Sequence, residues 1–114
     1  MILAPVAPAG LPEREVFPGF RGRMLHSERT TLAWWTIADG AELPPHSHPH
    51  EQTVIMIAGA LALTVDGVER VLRAGDVFAI PGGATHSGRA LGAARVLDVF
   101  APVREDYRDA PAAR

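Results

Sequence analysis

Residues 46–52 read His46-Ser47-His48-Pro49-His50-Glu51-Gln52, three of the chain's five histidines within five positions. Side chains two apart on a strand face the same side, so His46 and His48 can bring two imidazoles to one point. Gln52 keeps the same parity and can add an oxygen there. Glu51 is the obvious rival, but its parity turns it away, which leaves it as a surface group or a neighbour of the site. His50 shares the parity of His48, yet Pro49 disturbs the backbone between them, so His50 is expected on the rim. Taken alone, the run would also suit a solvated, proline-rich loop.

Glycines and a second histidine frame this run. Gly40 precedes His46 by five intervening residues, one residue separates His46 from His48, three lie before Gln52 and six before Gly59. Further on come Gly75, five residues, Pro81, one residue, Gly83, two residues and His86. These two spaced sets resemble the paired motifs of the cupin superfamily, whose fold is a small jelly-roll-like β-barrel. The resemblance implies one divalent metal ion bound by His46, His48, Gln52 and His86. Two positions depart from the usual pattern. Gln52 stands where Glu is common, and Ala90 stands where the second motif often ends in Asn. A neutral amide ligand leaves the ion its full charge, which lowers intrinsic metal affinity and strengthens the pull on an anionic substrate. Three histidines and one amide oxygen leave coordination positions open, as in catalytic centres. Zn, Ni, Fe and Mn ions all tolerate such donors, so the ligand types do not choose among them.

The rest of the chain agrees with an all-β, single-domain barrel. Short runs rich in β-branched and aromatic residues alternate with Gly, Pro and Asp, and no helical period is sustained. Strands are expected at 23–25, 31–38, 52–58, 60–65, 68–73, 77–80, 85–89 and 95–100. Val65-Asp66-Gly67-Val68 is the strongest hairpin signal, since Asp-Gly supplies the positive φ angles of a tight turn. Residues 1–18, rich in Pro and Ala, read as an N-terminal arm with one short strand around Val16. Residues 19–107 form the barrel and 108–114 a C-terminal tail. Trp34 and Trp35 must face opposite sides, one in the core and the other at an interface or the barrel mouth. His26 reads as a surface or packed histidine. Gly75-Asp76 and Pro81-Gly82-Gly83 are turn chemistry.

Composition narrows the function. A chain of 114 residues, 47% hydrophobic, suits one modest core. With no cysteine, disulfides, thiolate metal sites and cysteine nucleophiles are excluded. The formal net charge is −2 and the cationic residues, all arginine, are scattered, so no nucleic-acid partner is expected. The apolar start lacks a cationic head and is broken by Pro5 and Pro8. Neither a signal peptide nor a membrane partner is expected, and the location expected is cytoplasmic. The exposed edges of a small barrel would be covered in a homodimer.

One residue breaks the apolar pattern. In Arg95-Val96-Leu97-Asp98-Val99-Phe100, Asp98 lies in phase with Val96 and Phe100. Burying an ionised carboxylate without a partner costs several kcal/mol. Either that face is wet, or Asp98 addresses a cation, with Arg104 and the metal as candidates. The segment from Asp98 to Tyr107, taken with residues 46–52, is similar to the KdgF family of small pectin-degradation cupins, over about residues 21–107. That resemblance implies an enzyme opening the ring of 4,5-unsaturated uronates to linear 5-keto-4-deoxyuronates, with a small anionic sugar as its partner. It places Asp98, Phe100 and Arg104 beside the metal: Asp98 as acid and base, Phe100 as an apolar wall, Arg104 as a carboxylate clamp. Two other classes remain open: a metal-dependent dioxygenase, which oxygen uptake would reveal, and a non-catalytic module binding a sugar or small acid. The chain carries no helix-turn-helix segment, which argues against a regulator.

Overall fold

Alternation of side chains builds this molecule. In Thr31–Ile37 the residues Thr31, Ala33, Trp35 and Ile37 are buried, while Leu32, Trp34 and Thr36 face outward to varying degrees. The same period of two buries Gln52, Val54 and Met56 on one strand and Ala94, Val96, Asp98 and Phe100 on another. Gln52 and Asp98 therefore project from core-facing positions.

The computed structural model describes residues 4–108. A 3-10 turn at Pro8–Gly10 precedes β1 (Glu13–Phe17), β2 (Phe20–His26), β3 (Thr31–Ile37), β4 (Glu42–His46), β5 (Glu51–Val65), β6 (Val68–Arg73), β7 (Val77–Ile80) and β8 (His86–Ala101). A short helical turn, α1 (Glu105–Arg108), follows. The fold is all-β, as expected, with every pairing antiparallel and a main order β1-β2-β3-β8-β5-β6. None of its helices is long and apolar enough to cross a membrane among the described residues.

β5 and β8 pair from Glu51↔Ala101 to Val65↔His86. Their Gln52-to-Met56 and Val96-to-Phe100 halves lie with β3 and β7, whereas their other halves lie with β6 and β4. The sheet thereby folds over itself, and Phe20, Trp35, Ile37, Met56, Leu61, Leu63, Ile80 and Phe100 fill the space between.

Two features differ from the sequence expectation. The strands expected at 52–58 and 60–65 are one, as are those at 85–89 and 95–100. Gly59 (φ +76°) and Gly92 (φ +81°) bend the chain while the pairing continues past them. β4 was not expected, because Pro44 and Pro45 cannot donate to a ladder. It pairs with β8 only at Glu42, Leu43 and His46, and the prolines fall in the gap. The short strand expected around Val16 is β1, which pairs with β2 at the sheet edge. The Asp66-Gly67 hairpin is as expected, with φ +47° and +82°. Trp35 is the core tryptophan and Trp34 lies half-buried on the outer face. The tail from residue 109 onward lies outside the described residues.

A Cβ on Gly59 would lie 2.3 Å from the Ala93 carbonyl oxygen, whereas one on Gly67 would meet nothing within 4 Å. Both glycines hold positive φ, which costs an L-residue roughly 1–2 kcal/mol. Gly67→Ala should therefore lose about that much in urea denaturation. Gly59→Ala should lose at least about 2 kcal/mol more, because backbone must move. Equal losses would show that the bend in β5 is not what fixes the fold.

Candidate metal centre

Register places the first two imidazoles. His46 ends β4 directly opposite His86 at the start of β8, and the ring centroids stand 4.2 Å apart. His48 lies beyond the strand end, on a loop clamped to the Pro81-Gly82-Gly83 turn. The Gly83 N–H donates to the His48 carbonyl at 2.8 Å. Gly82 lies so close that a Cβ there would sit 2.3 Å from the Pro49 carbonyl oxygen. Gln52, buried on β5, completes the ring of donors, while Glu51 beside it is exposed. Strand parity does not run from His48 to Gln52, because residues 47–50 are not strand. Gln52 faces inward through the alternation of β5 itself.

The histidines are presented in one consistent way. Nδ1 of His46, His48 and His86 bonds the backbone carbonyl of Pro44, His50 and Ala84, at 2.9, 3.1 and 3.0 Å. Nδ1 must carry the proton to donate there, so each Nε2 is left as a lone pair. Ligand atoms of the three residues lie within 4.8 Å of one another. Gln52 Oε1 stands 3.2 Å from His48 Nε2, close to the roughly 3 Å between neighbouring ligands about 2.1 Å from one ion. Nε2 of His86 is buried without a hydrogen-bond partner. An orphaned, aimed lone pair among three others fits a divalent ion, which these residues could hold with open positions remaining.

Asp98 stands behind Gln52 and is buried. Its Oδ2 accepts from Trp35 Nε1 at 3.0 Å, whereas Oδ1 is buried with no partner. The Gln52 amide lies beside this carboxylate and favours its anion without closing a hydrogen bond to Oδ1. Arg104, expected as a partner of Asp98, instead makes a bidentate pair with Asp106. One cavity is lined by His46, His48, Gln52, His86, Asp98, Phe100 and Arg104, together with Trp35, Tyr107 and Phe17. Its volume is about 60 Å³, room for an ion and a few waters. His50 is half-buried at the rim, its ring 5.4 Å from that of His48 and its Nδ1 unpartnered. His26 is a packed histidine, its Nδ1 2.8 Å from Thr31 Oγ1. Trp35 and Tyr107 were not singled out for the site. Trp35 reaches Asp98 diagonally across the β3–β8 register, in which Ala33 is the residue opposite.

The sequence profile described as "Cupin domain" matches residues 33–100. This chain belongs to the cupin family. Among its relatives, the pectin degradation protein KdgF of Dickeya dadantii (strain 3937) is 33% identical over 99 residues, covering 84% of this chain and 90% of that protein. The structure of KdgF from Halomonas sp. superposes with a TM-score of 0.79 at 30% identity, over 83% of this chain and 89% of the other. An RmlC-like cupin from Shewanella frigidimarina NCIMB 400 gives a TM-score of 0.84 at 28% identity, over 90% and 93% of the two chains.

Electrostatics in this cupin separate the roles available. Burial, helped by Arg104 and His86, lowers the His48 pKa to about 4, so its imidazole is neutral at pH 7 and free to ligate. Burial lowers His86 as well. Burial raises Asp98 to about 7 against the pull of Gln52, Trp35 and Arg104, so it can hold and release a proton near neutrality. Burial alone would lower Arg104, but Asp106 and Tyr107 raise it above its ordinary value. The cavity thus combines lone pairs, a permanent cation and one exchangeable proton.

Two outcomes are expected. Calorimetric titration should find one divalent ion per chain, and His86→Ala should weaken it about 100-fold or more. Gly82→Ala, which displaces the His48 loop, should weaken it roughly tenfold while leaving the far-ultraviolet spectrum unchanged. The second concerns pH. In the folded protein Asp98 holds its proton up to about pH 7, whereas the unfolded chain releases it near pH 3.8. The folded state therefore binds the extra proton between these values, and stability falls as pH rises across them. In chelator, Asp98→Asn should leave the melting temperature little changed at pH 4 and raise it increasingly up to pH 7. The gain is bounded by about 4 kcal/mol at 1.36 kcal/mol per unit. A pH-independent difference would show that Asp98 ionises freely.

Proposed function

We propose that this cupin opens the ring of 4,5-unsaturated uronates, giving linear 5-keto-4-deoxyuronates in the breakdown of pectin or alginate. The observation that carries this is the placement of Asp98, with an unpartnered carboxylate oxygen, in the same cavity as Arg104 and a three-histidine donor set. Acid–base chemistry on an anionic sugar needs those three elements together. The relatedness to proteins named for pectin degradation supports the same substrate class.

The residues divide the work. Arg104 binds the uronate carboxylate with its planar fork of donors. Phe100 and Tyr107 form the aromatic wall that holds the ring in the mouth. Asp98 delivers its proton to C4 of the enol ether and, as a carboxylate, takes a proton from the water that adds at C5. The resulting hemiketal collapses to the C5 ketone as the ring oxygen is released. The water gained at C5 is balanced by water lost when C1 regenerates its aldehyde, so the net change is an isomerisation. A divalent ion at the histidines supplies positive charge that stabilises developing negative charge on substrate oxygens. Gln52, neutral between that ion's place and Asp98, withdraws none of this charge.

The test is loss of the C4–C5 double-bond absorbance of unsaturated galacturonate or mannuronate. The protein should accelerate it well beyond buffer. Asp98→Ala should lower turnover about 10²–10⁴-fold with metal content intact. Decay at the buffer rate would refute the reading, and oxygen consumption by the iron-loaded protein would redirect it to a dioxygenase.

A further inference from the structure

Arg104 is tied along one edge only. Its Nε donates to Asp106 Oδ1 at 3.0 Å and its Nη2 to Asp106 Oδ2 at 2.8 Å, a side-on bidentate pair. A guanidinium has five N–H donors, and this pair takes two of them. The other three lie on Nη1 and the far side of Nη2, the end-on edge, where no carboxylate of a described residue bonds them and the Tyr107 hydroxyl is the neighbouring polar group. Two aromatic rings flank the guanidinium from adjacent sides: the Tyr107 ring centroid lies 3.9 Å and that of Phe100 4.7 Å from the guanidinium carbon, with the rings themselves near-perpendicular. The base of the residue is anchored too, since the Arg104 backbone N–H donates to the buried Thr31 Oγ1 at 2.9 Å.

Exposure tells the two partners apart. The Arg104 side chain is 8% exposed and lines the cavity, whereas the Asp106 side chain is 56% exposed and lies outside it. Water screens the charge of Asp106, so its repulsion of an incoming anion is weak. Its geometric effect is not screened. With the side-on edge held by two hydrogen bonds and aromatic rings on two adjacent sides, the guanidinium is fixed in orientation and its end-on edge is left for a ligand. The positive charge of Arg104 is felt at His48, His86 and Asp98, which places it towards the donor set.

We infer that Asp106 is a positioning residue: it aims the end-on edge of Arg104 at the substrate carboxylate and so sets a preference for an acid over its ester. This rests on Arg104 being the uronate clamp of the proposed function. A fixed fork loses little freedom on binding, while a loosened one must be reordered for each ligand. The pocket therefore owes its discrimination to a residue that touches no substrate.

The experiment uses the purified full chain, wild type and Asp106→Ala, Asp106→Asn and Asp106→Glu. Calorimetry measures binding of galacturonate and of its methyl ester, and kinetics with unsaturated galacturonate give KM and kcat. Asp106→Ala and Asp106→Asn should weaken galacturonate roughly tenfold and the ester less than about twofold. KM should rise in proportion while kcat falls less than about threefold, and Asp106→Glu should restore most of the affinity for the acid. Unchanged or tighter galacturonate binding in Asp106→Ala would overturn the inference, as would equal losses for acid and ester. If the wild type prefers the acid and Asp106→Ala loses that preference, but no unsaturated uronate is turned over, the positioning role stands and the proposed reaction falls. If the wild type binds acid and ester alike, Arg104 is not a carboxylate clamp and the inference falls.

Discussion

The long antiparallel pairing of β5 with β8, which runs on past register shifts around Gly59, is the constraint on which everything else rests. Along it Gln52 sits opposite Phe100, Val54 opposite Asp98, and Val65 opposite His86. One ladder therefore supplies a buried amide beside the histidines, a buried carboxylate, an aromatic wall and the second-motif histidine. The bend at Gly59 lets the same two strands serve both layers of the folded sheet. The histidine end and the acid end of the cavity consequently keep a fixed separation. β4 sets His46 opposite His86, and the Gly82 and Gly83 clamp on the loop adds His48.

A core position held by a carboxylate destabilises a small barrel, and the surroundings offset that only in part. Trp35 satisfies one oxygen of Asp98 and leaves the other bare. The protein meets the cost by holding a proton there, which is also the form able to donate to a carbon. Arg104 is treated in the opposite way. Its charge is secured by Asp106 and two aromatic faces, so it stays cationic while buried. One titratable group and one permanent charge in the same cavity match a substrate that carries an anion and needs protonation.

Much of this was legible in the residues. The spacing of His46, His48, Gln52 and His86 between glycines exposed the fold through its resemblance to paired cupin motifs, although strand parity does not carry across residues 47–50. Asp98 stood out for breaking an apolar phase. What stayed hidden depended on register or on fine geometry. The prolines of β4 masked a strand that pairs only at its ends. The glycines at 59 and 92 read as breaks, although the ladder absorbs them as bends. Trp35 meets Asp98 only because β3 and β8 are aligned in one particular offset. The choice of Asp106 over Asp98 as the partner of Arg104 follows from α1 turning back over the aromatic rings.

The most direct measurement of the central claim is the fate of the proton given to C4. Turnover of unsaturated galacturonate in deuterated water, followed by NMR before the neighbouring ketone exchanges its hydrogens, should place one deuterium at C4 in a single configuration. A proton held by Asp98 can arrive from one face only. Deuterium distributed over both C4 positions from the outset, or label appearing no faster than in buffer, would contradict the account.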